Sequence, residues 1–180
     1  MRVIAGQAKG MKIKGSESSR VRPTGDRVKE ALFNMLGYPL TGETMLDLFA
    51  GFGGIGIEAL SRGAERVVLV EKGEENLKLI AENLKKASLR EGAELLSLEL
   101  PGELKLLKGR NFSLIFLDPP YYRGLLVPTL QEIRDLRLLE RRGVVIAEHQ
   151  AGLQPEDGLE GYQLLDRRCY GSEELSFLRY

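Results

Sequence analysis

The sequence predicts an α/β protein built on a doubly wound, mostly parallel sheet, and three observations predict it. Apolar runs of strand length alternate with stretches of helical periodicity from Met45 to Ala147, glycines crowd the first strand-to-helix turn, and acids stand at the ends of several strands. With the two segments near the C-terminus the expected strands number seven, the last two pairing antiparallel, and a small hairpin and a helix precede the first core strand.

Taken in order, Val3-Ile4-Ala5-Gly6 and Lys12-Ile13-Lys14 flank a glycine-containing stretch and suggest the hairpin. Ser16 to Pro23 reads as a loop, and Thr24 as the cap of a helix from Asp26 to Leu36 with Val28, Leu32, Met35 and Leu36 as its apolar stripe. Gly37-Tyr38-Pro39 ends it. Met45 to Leu48 is the first core strand, followed by a glycine cluster and a helix with Ile55, Ala59 and Leu60 on one face, stopping at Arg62-Gly63.

Arg66 to Glu71 is the next strand. A helix over Glu74 to Ser88 is apolar at Leu77, Ile80, Ala81 and Leu84, with Glu74–Lys78 and Glu82–Lys86 pairs outward, and a strand near Glu94 to Leu98 follows. A short helix over Gly102 to Leu107 leads to the strand Phe112 to Leu117. Gly124 to Leu139 reads as a helix with Pro128 in its first turn, Val144 to Ala147 as a strand, and Tyr162 to Leu165 with Leu175 to Leu178 as an antiparallel pair joined across Tyr170-Gly171-Ser172.

At 180 residues and 43% hydrophobic, the chain can build one full core. The expected organisation is a basic N-terminal hairpin and loop over residues 1–23 and one larger domain over 24–180, acting as a monomer. With no apolar stretch of membrane-spanning length and no signal-like leader, a soluble cytoplasmic protein is expected. Cys169 has no partner for an internal disulfide, and one cysteine with one histidine makes no credible zinc site. His149 reads as a strand-tip residue rather than a general base, because no nucleophile is paired with it in the sequence pattern.

Net charge is zero but segregated. Residues 1 to 29 carry eight cations (Arg2, Lys9, Lys12, Lys14, Arg20, Arg22, Arg27, Lys29) against Glu17 and Asp26, which leaves the remainder at net −6. A positive arm on an acidic body suits phosphate tracking, since each cation contacting a phosphate releases counterions; a solvated arm without a ligand is the alternative.

Two strand ends carry the chemistry. Gly51, Gly53 and Gly56 fit G-x-G-x-x-G, a spacing shared by dinucleotide and S-adenosylmethionine sites. Asp47, four residues earlier, would repel a pyrophosphate but could pair with an ammonium, which favours S-adenosylmethionine over NAD. Glu71, twenty residues after Gly51, stands where a carboxylate takes ribose hydroxyls. At the other end, Asp118-Pro119-Pro120-Tyr121 closes an almost wholly apolar strand with a carboxylate, rigid carbonyls and a ring, the groups needed to hold a planar amine.

Asp47-x-x-x-Gly51-x-Gly53 followed by Asp118-Pro119-Pro120-Tyr121 resembles the class I S-adenosylmethionine-dependent methyltransferases, of Rossmann-like fold, that act on exocyclic amines. Arg2-Val3-Ile4-Ala5-Gly6-Gln7 with Gly10, and Arg22-Pro23-Thr24-Gly25-Asp26-Arg27-Val28-Lys29-Glu30-Ala31-Leu32-Phe33-Asn34, narrow the likeness to the RsmD family of bacterial 16S rRNA guanine-N2 methyltransferases, from Arg2 to the Tyr170-Gly171 turn. The resemblance implies that Asp47, Phe49, Ala50, Gly51 and Gly53 line the methionine end of the cofactor, Glu71 the ribose, and Glu99 with Leu100 the adenine, with Lys72 also in the cofactor site. It implies that Asp118, Pro119, Pro120 and Tyr121 hold the guanine, and that 16S rRNA or the assembling small subunit is gripped by Arg2, Lys9, Lys12, Lys14, Arg20, Arg22, Arg27, Lys29 and Arg123. Phe52 and Glu99 depart from the family's usual small residue and Asp or Asn, so Phe52 could crowd the methionine pocket. A DNA base amine or a protein glutamine amide is an alternative acceptor; a dinucleotide-dependent oxidoreductase and a silent RNA-binding module are readings of another class.

Overall fold

The computed structural model describes residues 1–15, 25–37, 39–155 and 160–180. Seven strands make a mostly parallel sheet with an antiparallel C-terminal pair, as the sequence predicts; the chain divides into two compact units, Met1–Ser97 and Leu98–Tyr180.

The first unit opens on the expected hairpin, reduced to one antiparallel bridge between Arg2 and Lys12 and held by Val3 N donating to Met11 O at 2.9 Å and Gly10 N to Val3 O at 2.9 Å. Helix α1, Asp26–Leu36, has Gly25 as its N-cap with no side-chain hydrogen bond; the predicted cap Thr24 and the Ser16–Pro23 loop lie outside the described residues. The stripe of α1 is not the predicted one. Val28 and Leu32 are buried as expected, but Lys29 and Phe33 join them while Met35 is 38% exposed, because the face is finished by the hairpin and by Arg62, whose guanidinium lies 4.8 Å over the Phe33 ring.

Strands β1 (Thr44–Leu48), β2 (Arg66–Val70) and β3 (Ala93–Leu96) run parallel in the order β3-β2-β1, with Leu46 opposite Val68 and Val68 opposite Glu94. Helix α2, Gly54–Ser61, is buried on every side, so the predicted face of Ile55, Ala59 and Leu60 is only part of what it packs. Its approach to β2 is set by Gly56: a Cβ there would stand 2.7 Å from Leu69 Cδ2. Helix α3, Glu74–Lys86, buries Ile80 and Leu84 as predicted and also Asn83. The predicted Glu82–Lys86 pair gives way to tertiary partners: Glu82 pairs with Lys14 at 2.8 Å, and Lys86 Nζ donates to Lys12 O at 3.1 Å.

In the second unit β4 (Phe112–Leu117) pairs parallel with β5 (Leu139–Gln150), β5 antiparallel with β7 (Glu173–Arg179), and β7 with β6 (Gln163–Tyr170). The predicted short helix before β4 is a single 3₁₀ turn, Leu104–Leu107. Helix α4 spans Leu126–Asp135, with Pro128 in its first turn as expected, and stops four residues earlier than the sequence suggested. Arg137 takes φ 54°, a left-handed break without the glycine that usually signals one. The chain then enters β5, far longer than Val144–Ala147, because backbone pairing with β7 extends it through the polar Glu148, His149 and Gln150. Ile115, Leu117, Leu130, Ile133, Ile146 and Phe177 are the core of this unit.

Candidate functional site

The glycine turn lies wholly in the first unit. After β1 the chain passes through Phe49 at φ 63°, Gly51 at φ 56° and Gly53 at φ 78° before α2 begins. A bulky non-glycine residue at positive φ is costly and persists only where its surroundings fix it. Here Ala50 N, next to Phe49, donates to Val70 O at 2.9 Å, and carboxylates hold the rest of the turn. Glu71 Oε2 accepts Gly51 N at 3.0 Å and its Oε1 accepts Gly73 N at 2.8 Å, so the acid at the end of β2 holds both the glycine turn and the turn into α3. Glu71 stays half-buried, and its remaining lone pairs can still accept from a ligand.

Asp47 has a structural task that its sequence position did not suggest. It is 1% exposed, and its Oδ2 accepts Gly56 N at 2.8 Å, so the carboxylate also braces the first turn of α2 from inside. Phe52 is buried, and its ring lies against Gly15, where a Cβ would be 3.3 Å from Phe52 Cε2. Phe49 and Ala50 are half-buried, Gly51 and Gly53 are buried, and Lys72 is exposed.

Among the predicted RNA-binding cations, Arg2, Lys9, Lys12, Lys14 and Arg27 are at least partly exposed, and Arg20 and Arg22 lie outside the described residues. Lys29 is a correction. Its side chain is fully buried, its ammonium donates to Arg2 O and stands 3.4 Å from Glu58 Oε2, and it has no surface to offer a phosphate. Burial pushes the Lys29 ammonium below its usual pKa, with Glu58 opposing the shift.

Glu58, to which the sequence pattern gave no role, is the hub. Its buried carboxylate accepts Ile4 N at 2.8 Å, Ala5 N at 3.0 Å and Arg62 Nε at 2.8 Å, and pairs with Lys29. So many donors offset the burial of a charge that would otherwise be strongly unfavourable. The available signal was an acid inside the apolar helix Gly-Ile-Gly-Ile-Glu-Ala-Leu-Ser with a cation four residues on.

In the second unit, β4 ends in Asp118-Pro119-Pro120-Tyr121, and Tyr121–Arg123 forms a single 3₁₀ turn closed by Arg123 N donating to Pro120 O at 3.2 Å. Asp118 and Tyr121 are half-buried, Pro119 buried, Pro120 and Arg123 exposed. Burial, reinforced by the Glu173 carboxylate, raises the Asp118 carboxyl to a pKa of about 7. Beside this tip is a cavity of about 300 Å³, lined by Pro119, Pro120, Tyr121, Leu126, Glu148 and His149 among others, at the small end of ligand pockets, which run roughly 300–1,000 Å³. His149 is 1% exposed near the end of β5, its Nε2 2.8 Å from Ser176 Oγ and its Nδ1 3.0 Å from Gln150 O. Glu99 is exposed, with its amide donating to Glu103 Oε2 at 2.6 Å, whereas Leu100 is buried at 8% exposure.

Among the described residues no helix is long and apolar enough to cross a membrane, and no group of three or more His, Cys, Asp or Glu is placed to hold a metal ion.

Comparison with known proteins gives concordant findings. A family described as conserved hypothetical protein 95 matches residues 1–179. The chain is 37% identical to a protein named as a putative rRNA methyltransferase, YlbH of Bacillus subtilis (strain 168), covering 95% of this chain and 94% of that protein. It is 35% identical over 159 residues to ribosomal RNA small subunit methyltransferase D of Escherichia coli (strain K12), covering 88% of this chain and 77% of the relative. The solved structure of TTHA0928 from Thermus thermophilus superposes at a TM-score of 0.83 with 34% identity and 98% of each chain covered. A precorrin-6y C5,15-methyltransferase from Geobacter metallireducens, at 18% identity and a TM-score of 0.72 over 93% of each chain, shares the fold.

Proposed function

We propose, from the premise that this chain belongs to the conserved hypothetical protein 95 family, the RsmD family, that it is an S-adenosylmethionine-dependent methyltransferase acting on the exocyclic N2 amine of a guanine in 16S rRNA. The single observation that carries the proposal is the Asp118-Pro119-Pro120-Tyr121 tip of β4, with a half-buried acid and a cavity lined by Pro119, Pro120 and Tyr121, in a chain whose relatives include rRNA small subunit methyltransferases.

The residues present fit the cofactor. Gly51 and Gly53 leave bare backbone at the carboxyl end of β1, where α/β sheets take their ligands, and Glu71 is held ready by two amides to meet a ribose diol. Phe49 and Ala50 would border the methionine end, and Lys72 and the Glu99–Leu100 segment would complete the ribose and adenine ends. S-adenosylmethionine supplies an activated methyl group on a sulfonium, so positioning and electrostatics suffice for transfer.

The guanine amine is a poor nucleophile because its lone pair is delocalised into the ring. Ionised Asp118 and the Pro119 carbonyl would accept its two N–H bonds, favour a pyramidal nitrogen and aim the lone pair for in-line attack. Methylation of the amine at the expense of the sulfonium–methyl bond would leave a surplus amine proton, which Asp118, whose raised basicity suits it to receive one, would take. Tyr121 would stack on the base, which must be unpaired or flipped to enter. Arg2, Lys9, Lys12, Lys14, Arg27 and Arg123, with Arg20 and Arg22, would grip flanking phosphates, and the protein would work in the cytoplasm.

The test is a methyl-transfer assay on 16S rRNA, assembled small subunits, DNA and protein, with the product nucleoside identified by mass spectrometry. N2-methylguanosine in rRNA or subunits is the expected result; labelling of DNA or protein alone would overturn the proposal.

A further inference from the structure

The N-terminal hairpin is docked by side chains of α2 and α3, and one of them, Asn83, also bonds the glycine turn. Asn83, 1% exposed on α3, treats Lys14 as a strand would: its Oδ1 accepts Lys14 N at 2.9 Å and its Nδ2 donates to Lys14 O at 2.9 Å. The same Nδ2 donates to Phe52 O at 3.3 Å, the carbonyl standing between Gly51 and Gly53. The Phe52 ring closes the contact against Gly15, and Met1 Sδ lies 2.6 Å from where a Cβ on Gly54 would be. Glu58 and Ser61 of α2 bind the other limb of the hairpin, through Ile4 N and Ala5 N and through Ala8 N at 3.0 Å. A glycine-rich turn has little of its own to hold its peptides in one orientation, and a two-strand hairpin is marginal alone. Among these side chains, the Asn83 amide is the one that hydrogen-bonds both of them.

We propose that Asn83 is a positioning residue that couples the two ligands of this protein: ordering the glycine turn around the cofactor orders the hairpin that carries Lys9, Lys12 and Lys14 for RNA, and the reverse. The inference rests on the assignments under Proposed function, but it adds a linkage they do not contain. Coupling of this kind needs no change of shape, only that the first ligand quiets what the second must also quiet. Linkage then requires each ligand to tighten the other by the same factor.

The experiment uses the full chain, S-adenosylhomocysteine and a guanine-containing 16S rRNA stem-loop. In wild-type protein, hydrogen exchange should show S-adenosylhomocysteine slowing not only amides 47–56 but also those of Lys14, Ile4 and Ala5, and RNA affinity should rise about fivefold or more when it is saturating. Asn83→Ala, and Asn83→Asp as the closer shape match, should each bring that factor to about one. Protection confined to residues 47–56 in the wild type, or a coupling factor retained in either Asn83 variant, would overturn the proposal. Wild-type protein that binds neither ligand would instead overturn the reading on which it rests, so the two failures are separable.

Discussion

Glu71 and Gly51 are joined across twenty residues by one hydrogen bond, Gly51 N to Glu71 Oε2 at 3.0 Å, and this bond makes the acid at the end of β2 part of the glycine turn. The acid expected to read a ribose therefore also shapes the backbone beside it. Glu71→Ala should lower S-adenosylhomocysteine affinity by more than a lost ribose contact alone, about 100-fold or more by calorimetry, since two amide bonds to a charged acceptor go with it, at about 1.5–3 kcal/mol for such bonds. Glu71→Gln, which keeps one acceptor oxygen, should fall between. An Ala variant that binds like wild type would remove Glu71 from the site.

Asp47 offers a test of brace against ligand. Asp47→Ala strands the buried amide of Gly56 and should cost about 1–3 kcal/mol in urea unfolding. Asp47→Asn keeps an acceptor at the same place and should recover much of that stability and of the cofactor affinity. Were the carboxylate a direct partner of the ammonium, the Asn variant would bind as weakly as the Ala variant.

The Asp118 carboxyl sets a pH dependence. It must be ionised to accept from the amine, so kcat/KM should rise with pH to a plateau above an apparent pKa of about 7, and Glu173→Gln should move that limb to lower pH by removing the neighbouring charge. For stability the sign is opposite to that of a salt-bridged acid. A carboxyl whose folded pKa lies above its unfolded value of 3.8 contributes fully below 3.8, and the contribution is lost as pH rises through about 7. Asp118→Asn should thus raise Tm relative to wild type more at pH 8 than at pH 5, while abolishing transfer and sparing S-adenosylhomocysteine binding. A flat pH–rate profile would contradict the role.

Lys29 separates stability from RNA binding. Lys29→Ala removes one of the two cations on buried Glu58, leaving Arg62, and should cost up to about 3–5 kcal/mol, read by denaturant unfolding. Lys12→Ala should instead leave stability within about 0.5 kcal/mol and reduce the slope of log affinity against log salt by about 0.7–0.9. A Lys29 variant of native stability with a reduced salt slope would reinstate it as a phosphate contact.

The strands and helices were legible where a local pattern had one outcome: an apolar run ended by prolines at Asp118, a glycine cluster between Leu48 and Ile55, the periodicity of Asp26–Leu36. The errors fall where a partner distant in sequence decided. Helix α4 stops early at a left-handed Arg137, and β5 runs on through polar residues because β7 is there to pair with it. At the site, the residue types were legible but not which way they face.

By itself, then, the sequence determined the α/β order, the two strand ends that carry chemistry and the segregation of positive charge into the first thirty residues, since each follows from nearest-neighbour backbone rules or from simple counting. Only the tertiary structure decided that Asp47 braces Gly56, that Lys29 is buried against Glu58, and that Asn83 ties Lys14 to Phe52. The physical reason is desolvation: whether a polar side chain faces water or is buried depends on which donors and acceptors the fold brings to it from tens of residues away, and no local pattern carries that information.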